Sequence, residues 1–278
     1  MEKKSCFVLL LANELRQKWL NICLNNLYCN YLQEFPVDVI IFHENGFSYD
    51  NKNFIKNLLP NINVIFKEIQ FNKPKIILED KNFKATWKGS EGYWGAEKCL
   101  SYGGMCTFFA FDIFKYLIEM GYDYYARLDD DSSIKTKINY NIFEHMQDND
   151  LVYGYVMQMW EAPHVIKGLF SFIKKNITNK NKIINKNYKF TEKTRLSYYY
   201  NNFEIVDINK YFTKNVKNIS MKIHESGNVF YKRWGDAPIR TILLNMFFDK
   251  NKIKKFMGFE YSHDVTNNSE CRELLNHD

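Results

Sequence analysis

The sequence predicts an α/β fold in which an open sheet is flanked by helices within one compact domain. Three observations carry this. Short apolar runs alternate with helix-period stretches through the first 70 residues. No Pro-rich or Gly/Ser-rich linker and no internal repeat divides the 278 residues, although that length would also suit two domains. Hydrophobic residues make up 46% and charged residues 25%, enough for a large core and incompatible with a disordered chain.

Residues 7–11 (FVLLL) form an apolar run of buried-strand length. Leu15, Trp19, Leu20, Ile22, Cys23 and Leu27 then recur near helical spacing, which predicts a helix over 14–32 with Asn13 as its N-cap. Residues 37–42 read as a second strand, 51–59 as a second helix stopped near Pro60, and 63–69 as a third strand. Strand, helix, strand, helix, strand implies right-handed crossovers and a parallel sheet covered on both faces. Residues 72–93 are polar and irregular and read as a loop. The stretch 96–119 reads as a long buried helix, 122–128 as a Tyr-rich strand and 150–159 as another strand. Residues 160–195 show no period, and 197–206 read as extended chain or loop. Two further helices are expected over 213–223 and 234–248, the latter opening after Gly235 with Pro238 in its first turn.

The formal net charge is +6, which suits a nucleotide phosphate and is too dispersed to predict nucleic-acid binding. The densest basic stretch, 174–193, alternates Lys with Asn and reads as a solvated loop or insertion. Aromatics reach 17%, so rings fill the core and offer flat surfaces to sugars or bases. No run approaches the ~20 apolar residues of a membrane span. Residues 6–12 imitate a short signal peptide without a cleavage site and read as the first strand. The six cysteines form no CxxC pair, which argues against a zinc ribbon or thioredoxin-type site. Buried free thiols in a reducing compartment are expected, with a disulfide at Cys99 or Cys106 left open. Sequons at Asn176, Asn218 and Asn267 would matter only in a secretory compartment.

Asp129, Asp130 and Asp131 follow the strand 122–128. With a side-chain period of 2, Asp129 and Asp131 share a side, which at a strand's carboxyl end faces the ligand crevice. Two carboxylates there would bind a divalent cation that neutralises a diphosphate; the alternative is a plain acidic turn. Arg127 alternates to the same face and would pair with these carboxylates or with a phosphate. Glu204, in Asn202-Phe203-Glu204-Ile205, stands in apolar company. It reads as nucleophile, base or stabiliser of an oxocarbenium-like centre, or as half of a buried ion pair. Asp236, in Trp234-Gly235-Asp236-Ala237-Pro238, would cap a helix or address sugar hydroxyls beside an aromatic platform. His263, in Glu260-Tyr261-Ser262-His263-Asp264, is a surface imidazole or a metal ligand.

Taken together these segments resemble the fungal α-1,2-mannosyltransferases of glycosyltransferase family 15. The matching text runs in order through the chain: Ser101-Tyr102 with Met105-Cys106; Tyr124-Tyr125-Ala126-Arg127 before the acidic triplet; residues 149–154 (NDLVYG); 202–205 (NFEI); 227–238 (GNVFYKRWGDAP); and 258–263 (GFEYSH). The resemblance implies a GT-A-type, Rossmann-like mixed sheet, a GDP-mannose donor, Mn²⁺ (or Mg²⁺), and transfer with retention of configuration. Carried over by position, Asp129, Asp131 and His263 hold the metal and Glu204 is the catalytic carboxylate. Tyr102 and Asp236 line the donor and acceptor site, and Arg127 precedes the acidic motif. Asp129 stands where the family has glutamate, and Ala12 and Thr107 stand where it has arginines, so a UDP-sugar is kept as the alternative donor.

The resulting expectation is one catalytic domain over 1–278, with 1–131 as nucleotide-binding half and 132–278 as acceptor and catalytic half. It lacks a membrane anchor, acts in the cytoplasm or as a virus-encoded enzyme, and works on a sugar nucleotide and a glycan or glycoprotein acceptor. Two rivals come from other classes. A phosphodiesterase or nuclease would use the Asp triplet and need further carboxylates for a second metal. A non-catalytic glycan or nucleic-acid binder would use the aromatics and the positive charge.

Overall fold

The amino-terminal apolar run becomes β1 (Ser5–Leu11), in which Cys6, Phe7, Val8 and Leu9 have no exposed surface. In the computed structural model, which describes residues 3–84, 87–89, 92–177, 183–185, 188 and 196–263, β1 pairs in parallel with β2 (Asp38–His43) and with β6 (Tyr124–Leu128). Parallel strands covered on both faces carry continuous apolar runs, which is why these strands read clearly. At one edge β3 (Val64–Glu68) pairs in parallel with β2. On the other side β9 (Leu196–Asp207) runs antiparallel to both β6 and β8 (Tyr153–Glu161), and β10 (Ile253–Lys255) ends the sheet parallel to β8. The seven strands are ordered β10-β8-β9-β6-β1-β2-β3.

One face of this sheet is covered by α1 (Gln17–Leu27), α2 (Tyr49–Leu58) and α6 (Ile142–Asp148), whose Leu20, Leu24, Ile55 and Phe143 pack with Phe7 and Val39. The other is covered by α4 (Ala96–Thr107), α5 (Ile113–Glu119), α7 (Leu169–Asn176), α9 (Lys214–Glu225), α10 (Asn228–Lys232) and α11 (Asp236–Phe247). A π-helical turn, Phe108–Asp112, joins α4 to α5, so the expected long helix over 96–119 is continuous with one widened turn. Short pieces also occur: a π-helical turn, Tyr28–Leu32, that continues α1, α3 (Lys75–Leu78), α8 (Ile208–Tyr211), a 3-10 turn (Lys250–Lys252), the pair β4 (Lys88–Gly89) and β5 (Gly92–Tyr93), and the pair β7 (Ser132–Ile134) and β11 (Tyr261–His263).

Several elements differ from expectation. α1 begins at Gln17 without a side-chain cap. Asn13 instead donates from Nδ2 to the carbonyl of Asn45 (2.7 Å), tying together the loops after β1 and β2. The stretch 72–93 contains α3 and the β4–β5 pair, and α7 lies within the aperiodic 160–195. Most of the basic stretch 174–193 lies outside the described residues. Residues 197–206 belong to β9, at 12 residues the longest strand of the sheet. Its alternation is broken because Tyr155 pairs with Glu204 while Met157 pairs with Tyr200, which leaves a bulge over residues 201–203. The five described cysteines are free, and Cys29 is exposed where burial was expected. No described helix is long and apolar enough to cross a membrane.

Packing between β8 and the segment after β10 is tight at one glycine. A Cβ on Gly154 would lie 2.5 Å from the ring of Phe256. Gly154→Ala should therefore destabilise the fold by roughly 1–3 kcal/mol in denaturant unfolding, with Phe256→Leu in the same chain recovering part of the loss. Unchanged stability in the single variant would contradict this packing.

Candidate active site

The acidic triplet lies in a turn at the carboxyl end of β6. The backbone N–H of Asp129 donates to the carbonyl of Asn202 (3.1 Å), and that of Ser132 donates to the carbonyl of Asp129 (3.0 Å). β7 follows at once and pairs antiparallel with β11, with His263 directly opposite Ser132. That ladder carries a histidine from the far end of the chain to the triplet. One ligand atom each from Asp129, Asp131 and His263 lie within 4.8 Å of one another. His263 Nε2 is 3.1 Å from Asp131 Oδ1, and its Nδ1 is 2.9 Å from the Tyr200 hydroxyl, so the ring is oriented with Nε2 toward the acidic turn. Two carboxylates and an imidazole suit Mn²⁺ better than Mg²⁺, which favours oxygen ligands. Burial works against ionisation of Asp131, but the His263 hydrogen bond and charge, with Arg16, outweigh it and hold its pKa below the usual value.

Arg127 organises the adjoining wall. The residue is 4% exposed, and its guanidinium lies 3.4 Å from the Phe109 ring centroid and donates to Asp129 (Nε–Oδ1 2.8 Å) and to Asp236 (Nη1–Oδ2 2.6 Å). Burial opposes its charge, yet the two carboxylates raise its pKa above the ordinary arginine value. Burial pushes Asp129 upward against the pull of Arg127. Asp236 does not cap α11 as expected: Gly235 precedes the helix and Asp236 is its first residue. Its Oδ2 accepts from Arg127 and from Asn201 Nδ2 (2.7 Å), charge-assisted partners stronger than the helix's own N–H groups. Its charge still suits the positive end of α11.

Glu204 stands directly opposite Arg127 across the β6–β9 ladder, one layer lower, with no exposed surface. Its carboxylate accepts from the Tyr125 hydroxyl (2.7 Å) and from Arg240 Nε (3.2 Å) and Nη2 (3.1 Å). Arg240 Nη2 also donates to the carbonyl of Phe109 in the π turn (2.8 Å). Asp236 and Arg240 are one turn apart on α11. The helix thus presents a carboxylate and then a guanidinium to a sheet surface that carries a guanidinium and then a carboxylate.

A cleft of about 530 Å³ opens between the triplet and the start of α11. Tyr102, Arg127, Asp129, Asp131, Asp236 and His263 line it, whereas Glu204 does not. Tyr102 is held edge-on to Trp94 (5.3 Å) and Trp87 (5.9 Å). A larger cavity, about 850 Å³, lies near Glu44, Gln70, Asp112 and Tyr116 and includes none of the triplet. Sequence reasoning missed Arg16, Tyr200, Asn201 and Asn202, all on the cleft wall, and Arg240 beneath it. Arg16 pairs with Asp130 and, through Nη1, with Asp131 (3.1 Å). Its one signal was its place just past the carboxyl end of β1, where ligands of open α/β sheets gather.

A mixed sheet flanked by helices, with an Asp-x-Asp turn at the carboxyl end of a central strand, is the GT-A glycosyltransferase architecture. Core-mannan synthase A from Aspergillus fumigatus, solved in its Mn/GDP form, matches with a TM-score of 0.79 at 20% identity, covering 94% of this chain and 75% of that one. The mannosyltransferase Ktr4p of Saccharomyces cerevisiae, in complex with GDP, gives 0.77 at 24% identity, covering 94% and 71%. The chain belongs to the glycolipid 2-alpha-mannosyltransferase family, whose model matches residues 1–278. Among curated relatives, the probable mannosyltransferase KTR4 of S. cerevisiae is 28% identical over 266 residues, 87% of this chain and 56% of that protein. The glycolipid 2-alpha-mannosyltransferase of S. cerevisiae is 27% identical over 282 residues, 95% and 62%. The chain therefore spans less than two thirds of the length of these two relatives.

The buried Glu204–Arg240 pair yields a stability prediction. Arg240→Ala strands a fully buried carboxylate and should cost about 3–5 kcal/mol in denaturant unfolding. The double variant Arg240→Met, Glu204→Leu should recover most of that loss, since matched apolar replacements remove both charges. A single-variant loss under about 1 kcal/mol would contradict the pairing.

Proposed function

We propose that this protein is a metal-dependent, retaining glycosyltransferase that moves mannose from GDP-mannose to a mannoside or other glycan acceptor. The observation that carries the reading is the convergence of Asp129, Asp131 and His263 within 4.8 Å beside the Arg127–Asp236 wall, in a member of this family. Asp129, Asp131 and His263 would hold Mn²⁺, which when bound neutralises the diphosphate leaving group as a Lewis acid. Arg127 keeps Asp129 oriented and charged for that task. Tyr200 fixes the His263 ring, and Asp236 presents an anchored carboxylate to sugar hydroxyls.

Arg16 is half-exposed on the cleft wall, whereas Arg127 is buried between two carboxylates. That exposure supports Arg16 as the mobile cation that meets the diphosphate. Both Glu204 oxygens are engaged beneath the wall, which favours a fixed electrostatic role over that of covalent nucleophile. In this reading the acceptor oxygen bonds to C1 on the face where the bond from C1 to the diphosphate oxygen breaks, the departing diphosphate oxygen takes the hydroxyl proton, and Glu204 stabilises the oxocarbenium-like charge from below. The phosphodiesterase rival is disfavoured because the described residues hold one three-membered candidate cluster, and two-metal chemistry needs more.

The test is transfer of labelled mannose from GDP-mannose to a mannoside with Mn²⁺. Asp131→Ala and His263→Ala should each lower transfer at least a hundredfold while the fold persists. Arg16→Ala should raise KM for the donor roughly tenfold, the value of one charge-assisted contact. Phosphodiester cleavage without a sugar nucleotide, or full activity in the metal-site variants, would overturn the proposal.

A further inference from the structure

Asn202 is 3% exposed, yet neither Oδ1 nor Nδ2 of its side chain has a hydrogen-bond partner within the protein. Its neighbours on the same wall are paired: Asn201 with Asp236, Arg127 with Asp129 and Asp236. Native interiors leave few such groups unmatched, and those that persist ask for an explanation. Asn202 is among the residues that line the cleft, and its backbone carbonyl accepts from the N–H of Asp129, which places the residue beside the proposed metal ligands. It is there because β9 keeps its register with β6 up to this point, setting Asn202 opposite Asp129, while the bulge of β9 against β8 lets the preceding Asn201 join the same wall.

We propose that Asn202 reads the hydroxyls of the transferred sugar, donating from Nδ2 and accepting at Oδ1. Among the parts of a metal-bound sugar nucleotide, the chemistry of the amide selects the sugar. A phosphate offers only acceptors and would leave Oδ1 unmatched; a cation engages only Oδ1 and would leave Nδ2 unmatched. A pair of neighbouring pyranose hydroxyls donates and accepts and satisfies both atoms at once. A site that hydrogen-bonds a substrate hydroxyl discriminates strongly against sugars that lack it, because its polar groups are then left unpaired. Asn202 is thus a specificity-determining residue, and the inference rests on the sugar-transfer reading above.

Asn202→Ala and Asn202→Leu test it by calorimetric titration with GDP and with GDP-mannose, each with Mn²⁺ and no acceptor, followed by transfer kinetics and melting. Both variants should bind GDP within threefold of wild type, lose at least tenfold in affinity for GDP-mannose, and lose at least tenfold in kcat/KM. Asn202→Leu should melt no lower than wild type, since a similar apolar shape replaces an unmatched amide. An equal loss for GDP would place the amide on the diphosphate or the cation and overturn the proposal. So would a change confined to the acceptor KM, unchanged transfer, or a lowered melting temperature in Asn202→Leu. If wild type ignores GDP species and binds a UDP-sugar, the donor reading fails separately. The same selective loss measured with the UDP-sugar would then uphold Asn202 as the sugar reader.

Discussion

The site depends on alternating buried charge between α11 and the β6–β9 ladder. Arg127 and Glu204 face each other on neighbouring strands, and Asp236 and Arg240 sit one turn apart on the helix. Each positive group therefore meets a negative one across the helix–sheet interface. Buried ions carry desolvation penalties of several kcal/mol, so they are tolerable only in this matched order. The order has a geometric consequence: α11 cannot slide or rotate without breaking both pairs. Asp236, at the first position of α11, is thereby held to the cleft wall, and Arg127 is held where it orients Asp129.

From this arrangement the division of labour follows. The lower pair, Glu204 and Arg240, is sealed from solvent, braced by the Tyr125 hydroxyl and by a carbonyl in the π turn. The upper layer, Arg127, Asp129 and Asp236, reaches the cleft. Widened helical turns recur at functional sites, and here the π turn supplies both the Phe109 ring over Arg127 and the Phe109 carbonyl that receives Arg240. On the open side, Arg16 pairs with both Asp130 and Asp131 and so offsets the charge of the acidic turn. Two fixed layers and one exposed cation are what a site needs if it must hold a metal–diphosphate and release it.

Much of the fold was legible in sequence, for physical reasons. The first three strands are buried on both faces and so read as unbroken apolar runs, and their intervening helices keep a 3.6-residue period. The acidic triplet was legible because a strand so apolar leaves its carboxyl end facing a ligand crevice. The place of His263 beside the triplet was legible only through the resemblance, since it depends on a short antiparallel ladder with β7 that no local pattern announces. β9 was read as loop or strand because its bulge breaks the alternation that marks a strand. The same bulge hid Asn201, which shares a wall with Asn202 although the two are consecutive. Glu204 illustrates the limit most plainly: an acid among apolar neighbours signals burial with a purpose, but the layer in which it lies is set by Arg240, 36 positions away.

The charge lattice positions the proposed nucleotide-dependent metal site of Asp129, Asp131 and His263. Its most direct test is a titration of Mn²⁺ followed by electron paramagnetic resonance, with and without GDP, including pulsed detection of ligand nitrogen. One Mn²⁺ per chain, bound more tightly with GDP and coupled to a histidine nitrogen that disappears in His263→Ala, is the predicted result. Mn²⁺ binding indifferent to GDP, or bound Mn²⁺ without nitrogen coupling, would contradict the account.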